Sequence, residues 1–179
     1  MKNLLAIKGF LPYLAIAFIN ASIDLAHKIT IQNVLLKTYE GDTLVILTAA
    51  VNAMILLPFI LLFSPSGFIN DKYSKTRVIR VAALAGVAIS VAILFSYLAG
   101  LFEVAFLMTF ILAVQSAIYS PAKYGIVKSL VGTENLGMAN GIIQALTIVA
   151  ILFSSFVFSY VFEISYAHSD DPSQILSSI

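Results

Sequence analysis

The sequence predicts an all-α integral membrane protein with five transmembrane helices and a cytoplasmic N-terminus. Three observations carry this prediction. Of the 179 residues, 60% are hydrophobic and only 11% are charged, whereas an average soluble domain has about 25% charged residues. Five stretches are long and apolar enough to cross a bilayer, which takes about 20 residues. The few cations cluster between these stretches, as is typical of loops on the cytoplasmic side.

The five apolar stretches follow one another through short connections, without a soluble domain or a low-complexity segment between them. The N-terminal stretch, with Lys2 and Lys8, has features of a cleaved signal peptide. Its apolar character continues past Asp24, however, so we interpret it as the first span. The predicted spans cover residues 10–36, 44–63, 78–99, 104–119 and 136–162, within a helical domain at residues 1–165.

A charged segment, SPSGFINDKYSKTRVIR at residues 64–80, separates the second and third stretches. We predict a solvated cytoplasmic loop here, because four cations lie beside the single acid Asp71. With five spans, the predicted cytoplasmic side has eight cations and the opposite side has only Lys37, while Lys28 lies within the first span. The eight are Lys2, Lys8, Lys72, Lys75, Arg77, Arg80, Lys123 and Lys128.

The polar tail at residues 166–179 follows the fifth stretch on the predicted non-cytoplasmic side. It lacks the basic cluster that would mark the end of a span. We expect it to be the truncated approach to a sixth helix, and the chain to be a fragment of a longer protein.

The first span has an unusual set of polar side chains at membrane depth. Asn20, Asp24, His27 and Lys28 lie within about one third of the helix circumference at 100° per residue. Ionisable groups at this depth are costly and normally face a cavity or pair with one another. Asp24 and Lys28 are four residues apart and can form an ion pair. The set, together with Gln32, is either one wall of a transport path or a self-satisfied pair that locks helix packing.

The fourth span ends in the polar stretch QSAIYSPAKYG, in which Gln115 is predicted to face inward. Ser120-Pro121 is predicted to stop the helix, because the residue before a proline avoids the α region. Lys123 is then expected at the cytoplasmic interface, where such residues anchor helices.

A polar stripe in the fifth span consists of Asn140, Gln144 and Thr147, at i, i+4 and i+7. It either faces the same path as Asp24 or joins helices through hydrogen bonds, and the sequence favours neither. Small residues at intervals of four, around Gly86 in the third span and at the start of the fifth, predict close helix packing.

Composition and motifs point away from catalysis. Cysteine is absent, so thiolate metal sites and disulfides are excluded. His27 and His168 are far apart in sequence, and no nucleophile–His–acid order or phosphate-binding glycine loop is found. The net charge of +1 gives no field that would attract nucleic acid. We therefore expect no enzyme activity, no cofactor and no metal in this segment.

The charged segment resembles the loop signature between the second and third helices of the major facilitator superfamily. That signature reads Gly, three residues, Asp, a cation, one residue, Gly, then further cations. Here a serine replaces the second glycine, and a threonine stands where a cation is usual. The resemblance implies a conformational latch formed by Gly67, Asp71, Lys72, Lys75 and Arg77.

Two further stretches narrow the resemblance. DLAHKITIQN at residues 24–33 and YSPAKYGIVKSLV at residues 119–131, followed by Asn140-Gly141, resemble the bacterial lysophospholipid transporter branch. They are most similar to the transporter region of fusion proteins in which an acyltransferase and an acyl-carrier-protein synthetase follow. The resemblance covers residues 10–163. It implies an N-terminal half of six helices, of which this chain would supply five, and a C-terminal half that encloses the substrate with it.

The function implied by the resemblance is lysophospholipid flipping across the bacterial inner membrane by alternating access. The zwitterionic head group has an ammonium for Asp24 and a phosphate for Lys28. The implied partners are the bilayer, lysophospholipid, the missing C-terminal half and a fused or docked acyltransferase. The implied substrate path consists of Asn20, Asp24, His27, Lys28, Gln32, Gln115, Asn140 and Gln144.

Two other functions stay open at this point. One is a facilitator-type transporter of another small solute coupled to protons, with Asp24 and His27 as proton carriers. The other is a membrane anchor that positions an attached acyltransferase without transporting anything. Competition between lysolipid and other solutes tests the first function. The reading frame after Ile179 tests the second, because further spans there indicate a transporter.

Overall fold

The computed structural model describes residues 4–167, and these residues form α-helices joined by short connections. Five of the helices are long and apolar enough to cross a membrane. The predicted all-α membrane fold is therefore confirmed, whereas the side on which the N-terminus lies stays a prediction. After a 3₁₀ turn at Leu4–Ala6, the helices are α1 (Phe10–Thr38), α2 (Gly41–Leu61), α3 (Phe63–Lys72), α4 (Lys75–Leu98), α5 (Phe102–Val131) and α6 (Leu136–Ala167). The sequence tail from residue 168 onward, with His168, lies outside the described residues.

Two apolar clusters form the core, one near each end of α1. One cluster packs Phe10 and Leu14 of α1 against the last turns of α5 and the first turns of α6. The other packs Ile31 and Leu35 of α1 against α2, α4, α5 and α6. At a rise of about 1.5 Å per residue, the two clusters are about 30 Å apart along α1. The polar residues of the first span lie between them, close to the middle of the helix.

Large apolar side chains cover the outer surface of the helices. Phe63, Ile60 and Phe156 are more than 70% exposed. Contiguous apolar surface of this kind is not stable in water and marks a membrane or protein contact. With five helices of spanning length, contact with lipid explains it directly.

The charged segment between α2 and α4 is helical over most of its length, in contrast to the predicted loop. α3 continues to Lys72, the chain is extended for two residues, and α4 begins at Lys75. Pro65 is tolerated because it lies in the first turn of α3, where N–H groups have no intrahelical acceptor. Within α3, the Asn70 side-chain amide donates to the Ser66 carbonyl oxygen at 2.8 Å. The segment is thus a helical corner that exposes most of its cations.

The fourth span does not end at the predicted proline stop, because α5 continues through Pro121 to its end at residue 131. A proline removes one backbone hydrogen bond, but in membrane helices neighbouring helices compensate for the loss. The Asn70 side chain of α3 donates to the Ile118 carbonyl oxygen at 3.4 Å. The Tyr13 hydroxyl of α1 donates to the Lys123 carbonyl oxygen at 2.9 Å. These two contacts hold the backbone of α5 on both sides of the proline.

The small residues in the third and fifth spans differ in what they contact. A Cβ added to Gly86 in α4 would make an ordinary van der Waals contact, 3.4 Å from the side-chain nitrogen of Gln115 in α5, so the two helices pack against each other at this glycine, as predicted. A Cβ added to Gly137 or Gly141 in α6 would meet no heavy atom of the described residues within 4 Å. The prediction of close helix packing at Gly137 and Gly141 is therefore wrong within the described residues.

Candidate functional site

A cavity of about 330 Å³ lies between α1, α5 and α6, next to the polar residues of the first span. It takes most of its lining from α1 and α5 and contains both acidic and basic side chains. The polar and charged residues that line it are Asn20, Asp24, His27, Lys28, Thr109, Ser116, Tyr119, Ser120, Lys123 and Thr147.

The Asp24 carboxylate is held in the cavity wall by hydrogen bonds from two helices. The Ser116 hydroxyl of α5 donates to Oδ2 at 2.6 Å, a distance typical of a hydroxyl bound to a carboxylate. The Asn20 amide, one turn earlier on α1, donates to the same oxygen at 3.4 Å. These hydrogen bonds connect α1 to α5 and hold the Asp24 carboxylate in place beside the cavity.

The predicted ion pair between Asp24 and Lys28 is absent from the described residues. The only ion pair there joins Lys37 Nζ to Glu163 Oε1 at 3.0 Å, near the ends of α1 and α6. Asp24 instead accepts hydrogen bonds from Asn20 and from the neighbouring helix, while Lys28 lines the cavity. The interpretation of a self-satisfied pair is therefore wrong, and both charges are presented to the cavity.

Lys123 is a cavity residue that sequence reasoning placed at the membrane interface. Its side chain is only 8% exposed, and its ammonium lies 3.4 Å from the Thr147 hydroxyl of α6. This placement depends on the continuation of α5 through the proline. Ser116, Tyr119 and Lys123 are spaced i, i+3 and i+7 and so share one helix face. This spacing could have indicated that Lys123 lies on the same face as Ser116, but only if the helix is assumed to continue past Pro121.

His27 lies in the cavity wall and connects α1 to two other helices. Its Nδ1 is 2.7 Å from the Tyr97 hydroxyl of α4, and its Nε2 is 3.1 Å from the Thr109 hydroxyl of α5. In a neutral imidazole one nitrogen donates and the other accepts, so both positions are satisfied. The described contacts of His27 do not include Asp24, and the proposed proton transfer between the two stays a prediction.

Several curated proteins that are similar to this chain are named lysophospholipid transporter LplT. The protein of Serratia proteamaculans is 37% identical over 102 residues, covering 57% of this chain and 23% of that protein. The protein of Yersinia enterocolitica is 36% identical over 102 residues, with 57% and 22% covered. The protein of Salmonella heidelberg is 30% identical over 155 residues, with 83% and 35% covered. No family model matches the chain, and neither does any solved structure.

The chain belongs to the lysophospholipid transporter branch of the major facilitator superfamily. The resemblance to this branch is thereby confirmed, whereas the greater similarity to the acyltransferase fusion proteins stays a prediction. The chain spans between 22% and 35% of the length of the relatives described above. As a member of this branch with five helices of spanning length, it is a multi-pass membrane protein.

Four of the eight residues predicted for a substrate path lie outside the cavity lining, and two of these four are on α1 and α5. Gln32 is half-buried on α1, further along the helix from the cavity. Gln115 faces α4, where its amide donates to the Ala82 carbonyl oxygen at 2.9 Å. Its Oε1 lies 3.2 Å from the hydroxyl oxygen of Ser116, whose one hydrogen is donated to Asp24, so Gln115 packs beside the residue that holds Asp24.

The three residues of the polar stripe of α6 lie in different surroundings. Thr147 lines the cavity, whereas Asn140 and Gln144 do not. The Gln144 amide donates to the Tyr124 hydroxyl of α5 at 3.2 Å, on an exposed part of the surface. Asn140 Oδ1 is buried without a hydrogen-bond partner among the described residues. The position of Thr147 agrees with the interpretation that the stripe faces the path. The contact of Gln144 agrees with the interpretation that the stripe joins helices through hydrogen bonds.

The signature residues of the superfamily lie at the corner formed by α3 and the start of α4. None of them lines the cavity. The side chain of Lys75 packs against α5, where a Cβ on Gly125 would clash with its terminal carbons. The corner thus contacts α5 close to the cavity residue Lys123. The signature residues are Gly67, Asp71, Lys72, Lys75 and Arg77.

Proposed function

We propose that the complete transporter moves lysophospholipid across the bacterial inner membrane by alternating access, and that the cavity between α1, α5 and α6 binds the head group. The relatives that match this chain are named for this activity. The observation that carries the head-group assignment is that Asp24, Lys28 and Lys123 line one cavity from two helices. A ligand with charges of both signs satisfies such a site.

The charges of the cavity match those of a phosphoethanolamine head group. The Asp24 carboxylate, oriented by Ser116, is the partner for the ammonium. The phosphate pairs with Lys28 and Lys123. The contact between Lys123 and Thr147 is 3.4 Å long, beyond the usual range, so a phosphate oxygen is a better partner than this hydroxyl. Each of these interactions is stronger in the low dielectric of the membrane interior than in water.

The domain at residues 1–165 supplies five spans of an N-terminal half, with the N-terminus in the cytoplasm, and a second half closes the substrate path. Alternating access in such folds is a rocking of one half against the other around a site near the bilayer midplane. The signature residues Gly67, Asp71, Lys72, Lys75 and Arg77 act as the latch. A fused or docked acyltransferase would use the lysophospholipid delivered to the cytoplasmic leaflet.

The test is uptake of lysophosphatidylethanolamine by spheroplasts that make the complete transporter. We expect Asp24→Asn and Lys123→Met each to reduce uptake at least tenfold. A hydrogen bond to a charged group contributes about 1.5–3 kcal/mol, and 1.4 kcal/mol is about a factor of ten. We expect a similar direction for Lys28→Met. The matched controls are Asp42→Asn and Lys128→Met, which change exposed residues outside the cavity and should leave uptake unchanged.

Normal uptake by the Asp24, Lys28 and Lys123 variants would show that the head group binds elsewhere. Uptake of another small solute that lysophospholipid does not inhibit would show that the transporter has a different substrate. If variants of this segment no longer position the acyltransferase but keep normal uptake, the segment acts as an anchor.

A further inference from the structure

A second groove opens between α4 and α5, on a different face from the head-group cavity. Its volume is about 500 Å³, and it begins beside the end of α3. Along α4 its wall is formed by Arg77, Val81, Ala85 and Ile89, which recur every four residues and so share one face. At a rise of about 1.5 Å per residue, this wall is about 18 Å long. The opposite wall consists of side chains of α5, all of them apolar except Gln115.

The interior of the groove is apolar and has its polar atoms satisfied. Val81 and Ile111 line it and are 59% and 41% exposed, so the groove is open to the surroundings of the bundle. Its one polar side chain between the helices is Gln115, whose amide is bound to the Ala82 carbonyl oxygen at 2.9 Å. A polar ligand would therefore gain nothing along the length of the groove, whereas a hydrocarbon chain fits it.

The end of the groove beside α3 is cationic rather than apolar. The Arg77 guanidinium lies 5.8 Å from the centre of the Tyr73 ring, and Lys72 Nζ lies 5.7 Å from the same ring. Both cations are exposed, and neither takes part in an ion pair within the described residues. Asp71 is the only acid in this corner. Arg77 and Tyr73 therefore line one end of an apolar groove, and Lys72 lies beside the same tyrosine.

We propose that this groove binds an anionic phospholipid of the surrounding bilayer, with the phosphate at Arg77 and Lys72 and an acyl chain between α4 and α5. Basic pockets between transmembrane helices bind anionic head groups at the membrane surface, and tyrosine is favoured at that depth. The change from cationic to apolar along a single groove matches the change from head group to chain in a phospholipid. This lipid is a bound partner and not the transported substrate, since its site shares no residue with the head-group cavity.

The test is native mass spectrometry of the full chain, purified in detergent and titrated with phosphatidylglycerol or phosphatidylethanolamine. We expect saturable binding of one phosphatidylglycerol, with weaker binding of phosphatidylethanolamine. Arg77→Gln should weaken phosphatidylglycerol binding roughly fivefold, which corresponds to the contribution of one basic side chain near a membrane surface. Its matched control is Arg80→Gln, which removes an exposed cation of the same helix outside the groove and should have no effect.

A second pair of variants tests the position of the acyl chain. Ala85→Phe fills the groove and should weaken phosphatidylglycerol binding, whereas Ala88→Phe places the same ring on an exposed part of α4 outside it. Equal effects of Arg77→Gln and Arg80→Gln would overturn the proposal, since they indicate general charge attraction. Unchanged binding in Ala85→Phe, or equal binding of the two phospholipids, would also overturn it. Displacement of phosphatidylglycerol by lysophosphatidylethanolamine would assign the groove to the substrate instead.

Discussion

His27 joins three helices through its ring nitrogens, and its removal should lower the stability of the bundle. Its Nδ1 is 2.7 Å from the Tyr97 hydroxyl and its Nε2 is 3.1 Å from the Thr109 hydroxyl. All three side chains are buried. His27→Leu retains a side chain of similar size on α1 but leaves two buried hydroxyls without their partner.

The expected loss follows from the number of hydrogen bonds removed. Interhelical hydrogen bonds in membranes average about 0.6 kcal/mol, because the unfolded chain in the membrane also finds partners. A buried donor or acceptor that is left unpaired costs about 1–3 kcal/mol. For two bonds, these magnitudes predict that His27→Leu lowers the free energy of unfolding by roughly 1–6 kcal/mol.

The assay is unfolding in mixed micelles with increasing sodium dodecyl sulfate, followed by far-ultraviolet circular dichroism. A triple variant, His27→Leu with Tyr97→Phe and Thr109→Val, removes the two hydroxyls that lose His27 as a partner and should recover at least half of the loss. The control is Ser96→Ala in α4, whose hydroxyl bonds only to its own helix, at the Ala92 carbonyl oxygen. A triple variant less stable than His27→Leu alone would refute the reasoning, as would a His27→Leu loss no larger than that of the control.

Two other contacts give predictions for the same unfolding assay. Gly86→Val should displace the Gln115 amide from the α4 backbone and lower the free energy of unfolding by about 1–3 kcal/mol. Gly86→Ala should stay close to wild type, because its Cβ makes only an ordinary contact at 3.4 Å; equal losses in both variants would contradict this account. Glu163→Gln breaks an exposed ion pair with Lys37 and should cost at most about 1 kcal/mol, less at high salt. A loss of the same size at all salt concentrations would mean that the charges are not its cause.

The five spans could be predicted from hydropathy because the bilayer leaves few alternatives. A segment in lipid must satisfy its backbone hydrogen bonds internally, so each long apolar stretch is a helix. The end of the fourth span could not be predicted in the same way. The local preference of the residue before Pro121 favours a stop, but Tyr13 and Asn70 contact the backbone on either side of the proline. These contacts come from distant parts of the sequence, which local rules do not include.

The candidate site was predictable on α1 and much less so on the other helices. Asn20, Asp24, His27 and Lys28 line one cavity because the period of a single helix already places them on one face. The rotation of α5 about its axis is set by packing, and no pattern in one sequence gives it. Gln115 is polar and directly precedes the cavity residue Ser116 in the sequence, yet it faces α4.

The continuation of α5 determines how charge is arranged in the cavity. If the helix stopped before Pro121, the acid and its nearest cation would both come from α1, where Asp24 and Lys28 are close enough to neutralise each other. With the helix continued, Lys123 brings a second cation from another helix, and Ser116 of that same helix fixes the carboxylate. Charges held apart at membrane depth are costly, and a ligand with both charges relieves that cost only while α1 and α5 keep this spacing. A movement of α5 relative to α1 would change the spacing, so the proposed head-group assignment predicts that zwitterion binding depends on the position of these two helices, which the Asp24–Ser116 hydrogen bond connects.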